Sequence, residues 1–500
     1  MFENVLLGLQ TLADPALLLA VLLGVVGGVV IGALPGLTST MGVALLIPVT
    51  FSLPPQVGLA MLGGIYCAST YSGAISAILL NIPGTSASVA TMLDGHPMAK
   101  SGKPGRAISL ATFASCIGGM ISIVALLFLA PQLAEFSLRF GSPEYFLLAV
   151  FGITVIASMS AGAMEKGLIA GALGLILSTV GVHPLTGTMR FTGGVPSLYD
   201  GIPLVVALIG LYSIPEVIDL IERAKSSRDS ARGVDRTSHW ESLRELAAQK
   251  YNVLRASLIG IVVGIVPGVG CSVGGFLAYD AAKRGSKTPE AFGKGSSEGL
   301  IASETGNNAV TGGTLIPLLT LGIPGNPVTA VLLGGIMIHG LRPGPELFTT
   351  NADVTYGFIF SLFLSNLLFV PIGLLLARYG LRIVQVPAGI LAPIILTLAV
   401  IGAYSLRASL DDIWIMLAIG GLGWGMAALA VPRAPLVLGL VLGTLAEGEL
   451  ARSLALVRGD LAAFGMQILT RPVSLIILLL CIIAIVHGIN QHRQNSKMLE

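Results

Sequence analysis

The stretch GVVIGALPGLTSTMG, Gly28 to Gly42, returns in the second half of the chain as GIVVGIVPGVGCSVG, Gly260 to Gly274, with Gly28, Val30, Gly32, Pro35, Gly36 and Gly42 each matched by the same residue. Each copy is followed by a second break, NIPGTSASVA from Asn81 and GIPGNPVTAV from Gly322. Glycine is common here, 64 of 500 residues, so glycine matches alone weigh little. Two ordered Pro-Gly breaks inside apolar sequence weigh more. Proline removes a backbone donor, and glycine enters turns that other residues avoid. Pro35-Gly36, Pro83-Gly84, Pro267-Gly268 and Pro324-Gly325 therefore predict helices interrupted at membrane depth, in the pattern of a duplicated membrane transporter.

Composition places the chain in a bilayer independently of these motifs. Hydrophobic residues make up 54%, charged residues 11%, and the mean hydropathy is +0.87, far from soluble domains. A net charge of +2 with no basic tract gives no nucleic-acid signal. The four cysteines, Cys67, Cys116, Cys271 and Cys481, sit singly in apolar segments, which fits small buried hydrophobes and neither a disulfide framework nor a metal site. The amino terminus lacks the basic region and cleavage site of a removable signal peptide.

Apolar stretches run at about 16–34, 39–53, 57–80, 106–131, 144–163, 166–182, 201–221, 254–275, 299–321, 326–340, 355–377, 386–404, 411–430, 434–446 and 472–489. Spanning the hydrocarbon core needs about twenty helical residues. The stretches 39–53, 326–340 and 434–446 fall short and read as half-helices, re-entrant pieces or tilted short spans. The expected fold is an all-α polytopic membrane protein with about twelve transmembrane helices and two structural repeats, 1–221 and 253–489. A polar connection at 222–252 joins them, and a polar tail covers 490–500. From Glu222 to Arg255 basic residues outnumber the five acids, so this joint should be cytoplasmic. The loops Asp94 to Arg106 and Lys283 to Lys294 are also basic. The repeats are inverted if 39–53 crosses the membrane and parallel if it turns back; the inverted arrangement is favoured.

Broken backbone survives in a membrane only where protein or a water-filled cavity satisfies it. Half-helix ends then offer N–H groups to a carboxylate and free carbonyls to a cation. Around the breaks lie Thr38, Ser39, Thr40, Asn81, Thr85, Ser86, Ser272, Asn307, Asn308, Thr311 and Asn326, all neutral hydrogen-bonding side chains. With the Pro-Gly pairs they form the expected substrate site, against the simpler alternative that small residues only let helices pack closely. Ionisable residues at membrane depth are costly and usually functional. Glu304 precedes Asn307 and Asn308 by three and four residues, on one helical face, so Glu304, Asn307, Asn308 and Thr311 are the expected ion-coupling group. The alternative pairs Glu304 with a lysine such as Lys294 and leaves Glu298 as a solvated loop end. Glu447, Arg452 and Asp460 read as interfacial. His96, His183, His239, His339, His487 and His492 show no metal spacing and read as loop or interface residues. No structural metal and no cofactor is expected, with Na⁺ entering only as a coupling ion.

The strings GALPGLTSTMGVALLIPVTF, SGAISAILLNIPGTSASVATMLDGHPMAKSGKPGRA, GIVPGVGCSVGGFLAYDAAKR, FGKGSSEGLIASETGNNAVTGGTLIPLLTLGIPG, GGIMIHGLRPGP and LGTLAEGELARSLALVRGD resemble the large membrane subunit of the tripartite tricarboxylate transporters, from about Leu18 to Ser474. The resemblance implies a bacterial inner-membrane permease. It would work with a small membrane subunit of about four helices and a periplasmic solute-binding protein, and be driven by an ion gradient rather than ATP. Organic acids such as citrate are the implied substrates. The positions Pro35, Gly36, Asn81, Pro83, Gly84, Asp94, Pro267, Gly268, Glu298, Glu304, Asn307, Asn308, Pro324, Gly325, Glu447 and Arg452 fall on the family pattern. The segment CASTYSGAISA from Cys67, together with Ser303, Thr305 and Gly306, departs from it, which bears on the substrate rather than on transport.

The expected mechanism is alternating access around a midplane site made by both Pro-Gly pairs, with co-bound cations compensating the substrate's charge. A passive carboxylate channel or facilitator would share the broken helices and is the second reading. An enzyme is not expected, because no HExxH or GxGD motif and no Ser/His pair in matching apolar segments is present.

Overall fold

The computed structural model describes residues 2–34, 36–159, 164–183, 186–223, 239–267, 270–384, 388–483 and 486, and within these the chain is almost wholly helical. Pro35, Gly268, His487, His492, residues 224–238 of the connection and the 490–500 tail lie outside the described residues. The first half runs α1 (Phe2–Thr11), α2 (Pro15–Ala33), α3 (Ser39–Phe51), α4 (Pro55–Leu80), α5 (Met92–Lys100), α6 (Pro104–Ser137), α7 (Ser142–Met159) and α8 (Met164–Ser178). A hairpin of β1 (Gly181–Val182) and β2 (Met189–Arg190) then leads to α9 (Leu204–Arg223). The second half runs α10 (His239–Ala248), α11 (Lys250–Ile265), α12 (Gly270–Gly285), α13 (Ser297–Leu321), α14 (Pro327–Ile338) and α15 (Pro345–Phe348). It continues with α16 (Ala352–Val384), α17 (Ala388–Arg407), α18 (Leu410–Ala428), α19 (Ala434–Leu456), α20 (Leu461–Thr470) and α21 (Pro472–Ile483).

Eight described helices are long and apolar enough to cross a membrane, nine if α20 and α21, bent by 92°, form one broken span. The sequence led us to expect about twelve. Part of the difference is physical: α13 has 25 residues, but they include Glu298, Glu304, Asn307 and Asn308, and it is buried in protein rather than facing lipid. Helices sheathed by other helices need not be apolar. The apolar stretch 254–275 divides at its Pro-Gly into α11 and α12, and 166–182 yields only the 15-residue α8. The short pieces 39–53 and 326–340 are the short apolar helices α3 and α14. The third, 434–446, needs correcting. It is the first part of the 23-residue α19, which continues through Glu447, Glu449 and Arg452 because these side chains find partners.

The two copies of the repeated motif pack in similar ways. A Cβ on Gly28 would stand 2.8 Å from the Ile65 carbonyl oxygen, and one on Gly32 2.3 Å from that of Ser69, so α2 lies directly on the backbone of α4. The repeat-mates Gly260 and Gly264 approach Gly306 and Val310 of α13 in the same way, at 2.3 and 2.8 Å. Helix endings match as well. α4 ends on Asn81 (φ 57) and α13 on Gly322 (φ 70), both left-handed. Thr85 forms a capping box with Ser88, and Asn326 forms one with Thr329. The two second breaks thus share one local design: a left-handed stop, Pro-Gly, and a capped restart.

The equivalent helices α4 and α13 cross with opposite directions. Ile78, near the end of α4, and Leu300, near the start of α13, both flank Gly95, whereas Tyr66, in the first half of α4, meets Thr314 late in α13. The three basic segments gather at one end of the molecule. Arg106 forms an ion pair with Glu245, Asn252 donates to the Glu298 carbonyl, and the Asp94 carboxylate accepts N–H groups from Gly293, Gly295 and Ser296. A single cytoplasmic face satisfies the positive-inside rule for all three.

Because Gly32 has the Ser69 backbone as well as the short Ser72 side chain against it, Gly32→Val should lower thermal stability by about 1–3 kcal/mol or abolish the folded protein. A melting curve matching the parent would show that α2 can move away from α4 at no cost.

Candidate functional site

The first-half breaks open onto a cavity of about 730 Å³, within the range of small-molecule sites. Its walls include Gly36, Thr38, Pro83, Gly84, Thr85 and Ser86 from the breaks. The opposite wall is the end of α9, with Glu216, Asp219 and Glu222, the end of α18 and Arg433. Thr38 caps α3 by accepting from the Met41 N–H at 3.2 Å, and Gly36 takes φ 99, a conformation that favours glycine. Asn81 is exposed, while Ser39 and Thr40 are buried at the start of α3. Arg433 was not anticipated from sequence. Its guanidinium donates to the Leu211 carbonyl at 3.2 Å and stacks over Tyr212, which places a half-buried cation in the wall that also carries Glu216, Asp219 and Glu222. The readable signal was an arginine enclosed in the short interruption VPRAP between two apolar runs.

Glu304 lies deeper, fully buried in the middle of α13. Among the described residues no Lys, Arg or His forms an ion pair with it; Lys294 is exposed, so the pairing alternative is not realised. Its carboxylate accepts from the hydroxyls of Thr91 and Ser115, the latter at 2.6 Å, and from the Asn308 amide at 3.5 Å. Thr311 donates to the Asn308 carbonyl at 2.6 Å. Asn307 is buried with neither its amide nitrogen nor its oxygen partnered. Of the expected ion-coupling residues, hydrogen bonds link Glu304, Asn308 and Thr311, to which the fold adds Thr91 and Ser115 from distant sequence, whereas Asn307 lies against Gly275 of α12.

Among the described residues, none from the second-half breaks lines the 730 Å³ cavity. Gly325 packs against Thr314 and the Gly264 carbonyl, and Ile323 is buried among Leu147, Leu148 and Ile477. Among the described residues the cavity takes its Pro-Gly wall from the first half, at Gly36, Pro83 and Gly84. Contact between the halves runs instead through side chains. Ser272 donates to the Ser86 carbonyl at 2.6 Å, and the Tyr66 hydroxyl bonds Thr314 and the Asn326 amide, both at 2.9 Å. Pro267 turns the chain between α11 and α12, and Pro324 stands between Ile323 and the Asn326 cap.

The remaining residues are placed as follows. Glu298 sits in the first turn of α13 beside a surface cavity shared with Arg255 and Lys287. Arg452 pairs with Glu449, and Asp460 caps α20. Glu447 is held by Arg190, whose ordinary value is raised further by this hydrogen bonding. His96, His239 and His339 lie at helix ends or in the short α5, and among the described residues no cluster of His, Cys, Asp or Glu could hold a metal ion.

A transporter of organic anions is the class this arrangement fits: helices broken in pairs, a polar cavity at one break and a buried carboxylate surrounded by neutral donors. Comparison with known sequences agrees. Residues 18–438 match the Tripartite tricarboxylate transporter TctA family, so the chain belongs to this family and is a multi-pass membrane protein. A protein of Agrobacterium vitis described as an uncharacterized 52.8 kDa protein in the TAR-I ttuC' 3' region is 36% identical over 475 residues, 95% of this chain and 93% of that protein. A second from the same organism, described as an uncharacterized protein in the TAR-II ttuC' 3' region, is 36% identical over 227 residues, 45% of this chain and 92% of its own length. No solved structure matches.

Tyr66→Phe leaves the Asn326 amide and the Thr314 hydroxyl short of a buried partner. It should destabilise the protein by about 1–3 kcal/mol in thermal melting; an unchanged melt would mean that the two groups find each other or water instead.

Proposed function

We propose that this chain is the large permease subunit of a secondary transporter that imports a tricarboxylate or related organic acid, citrate-like in chemistry, coupled to a Na⁺ or H⁺ gradient. Its partners are a small membrane subunit and a periplasmic solute-binding protein, in a bacterial inner membrane. The observation that carries this reading is the cavity where Gly36, Thr38 and the Ile82–Ser86 break face Arg433. A guanidinium and the N-terminus of α3 suit a carboxylate. Glu216, Asp219 and Glu222 line the same space, and positive charge entering with an anionic substrate would favour its binding. Coupling to a cation supplies that charge.

Glu304 is the group we assign to that cation, with Asn307, Asn308 and Thr311 beside it. A buried carboxylate without an ion-pair partner is costly; Na⁺ or a proton would neutralise it. The repeats are proposed to be related by an inverted topology, which the antiparallel crossing of α4 and α13 supports. Inverted repeats give a carrier two exchangeable faces.

The deciding measurement is uptake of labelled citrate, a dicarboxylate and an aromatic acid into vesicles holding this chain and its small subunit, with binding protein outside. Accumulation that collapses with the ion gradient is expected. Gradient-independent equilibration would identify a facilitator or channel instead. Glu304→Gln should reduce coupled uptake by an order of magnitude or more, about 1.4 kcal/mol or greater, at normal membrane expression, and Asn308→Ala should reduce it less. Arg433→Ala should raise KM about tenfold, and normal uptake in that variant would take Arg433 out of the site.

A further inference from the structure

A second cavity, of about 480 Å³, lies at the opposite end of α9. Leu177 and Ser178 of α8, Leu204 of α9 and Thr444 and Glu447 of α19 form its walls, and Arg190 of the β1–β2 hairpin reaches into it. Arg190 holds Glu447 through two hydrogen bonds, Nη1 to Oε1 at 2.5 Å and Nη2 to Oε2 at 3.0 Å. His183 Nε2 stands 3.5 Å from the same Oε1. The remaining guanidinium nitrogen, Nε, is buried without a partner.

The position of this cavity follows from the repeat. α18 packs on α9 as α8 packs on α19, and α17 packs on α9 as α7 packs on α19. Glycines permit both close approaches: Gly210 and Gly420 between α9 and α18, Gly174 and Gly439 between α8 and α19. The cavity at Arg433 lies where α18 ends, α19 begins and α9 ends. The cavity at Arg190 lies where α8 ends and α9 begins, along the middle of α19. They are counterparts, one at each end of α9. They differ in one respect. The first reaches its break at Ile82–Ser86, whereas the break belonging to the second is covered, with Ile323 packed among Leu147, Leu148, Ile477 and Cys481.

We propose that the Arg190 cavity is the vestibule through which the carboxylate substrate enters from the face opposite the Arg433 cavity, with a substrate carboxylate displacing Glu447 from Arg190. This rests on the transporter reading above. A guanidinium already arranged for two-point contact with one carboxylate can receive another in the same geometry. Until then Glu447 keeps the half-buried guanidinium paired, which avoids an unpaired charge at the cavity wall. The basic connection after α9 places that end of the helix at the cytoplasm. Arg190 and the hairpin then lie on the outer face, where imported substrate arrives.

Kinetics of citrate uptake by the reconstituted transporter test the exchange. Arg190→Ala should raise KM about tenfold with Vmax changed less than about twofold, and Glu447→Gln, which removes the competitor, should lower KM about threefold. KM values within about twofold of the parent in both variants, at normal expression, would overturn the proposal. Thr444→Cys on the intact Arg190–Glu447 pair gives a readout that does not depend on a destabilising change. A membrane-impermeant maleimide added outside should label it, and citrate should slow the labelling. Labelling only from the inner face, or no protection, would likewise overturn the vestibule. Should the parent protein accumulate none of the three acids, the transporter reading itself fails, a result distinct from variants that leave a working transporter unchanged.

Discussion

A helix interrupted inside a bilayer leaves N–H and C=O groups that hydrocarbon cannot satisfy, and everything else in this protein accommodates that fact. The accommodation is close backbone packing. Gly28 and Gly32 set α2 on the carbonyls of α4, and Gly260 and Gly264 set α11 on those of α13, so the helices that lead into the breaks lie against protein. Within that enclosure the freed groups find partners: Gly84 N–H donates to Gly73, Ile323 N–H to Pro317, and Gly344 N–H to Leu319. A larger residue at these glycines would push the helices apart and expose the breaks.

Enclosure has a chemical consequence for α13. Since it meets other helices rather than lipid, it can carry Glu304, Asn307, Asn308 and Thr311 along its length. Hydrogen bonds continue from Glu304 through Asn308, Thr311 and Thr314 to Tyr66, and from Tyr66 to the Asn326 cap of α14. The buried carboxylate and the second break thus share one polar face. A change in the charge on Glu304 has a direct physical line to the segment that restarts after Pro324-Gly325.

Under the proposed function, the two cavities are the two sides of one carrier. An exchange of equivalent packing around the two breaks would open the Arg190 side as it closes the Arg433 side, with α9 as the common wall. The structure is open toward the first break and sealed by apolar packing at the second. Alternating access needs such a pair of unequal states with the same parts.

The sequence by itself determined the membrane class, the duplication and the places where helices stop, since composition, proline and glycine act locally. Asn81 and Gly322 end helices where the repeated motif predicted, and Glu304 with Asn308 was legible from helical spacing. Hydropathy misled where burial replaced lipid contact: α13 is too polar to score as a span, and α19 runs on past 446 because Glu447 and Glu449 are paired. Only the tertiary structure decided that Thr91 and Ser115 complete the Glu304 group, that Arg433 faces the first break, and that Arg190 holds Glu447. These contacts join residues far apart in the chain, and no local pattern encodes which distant side chain a fold will bring to a given buried charge.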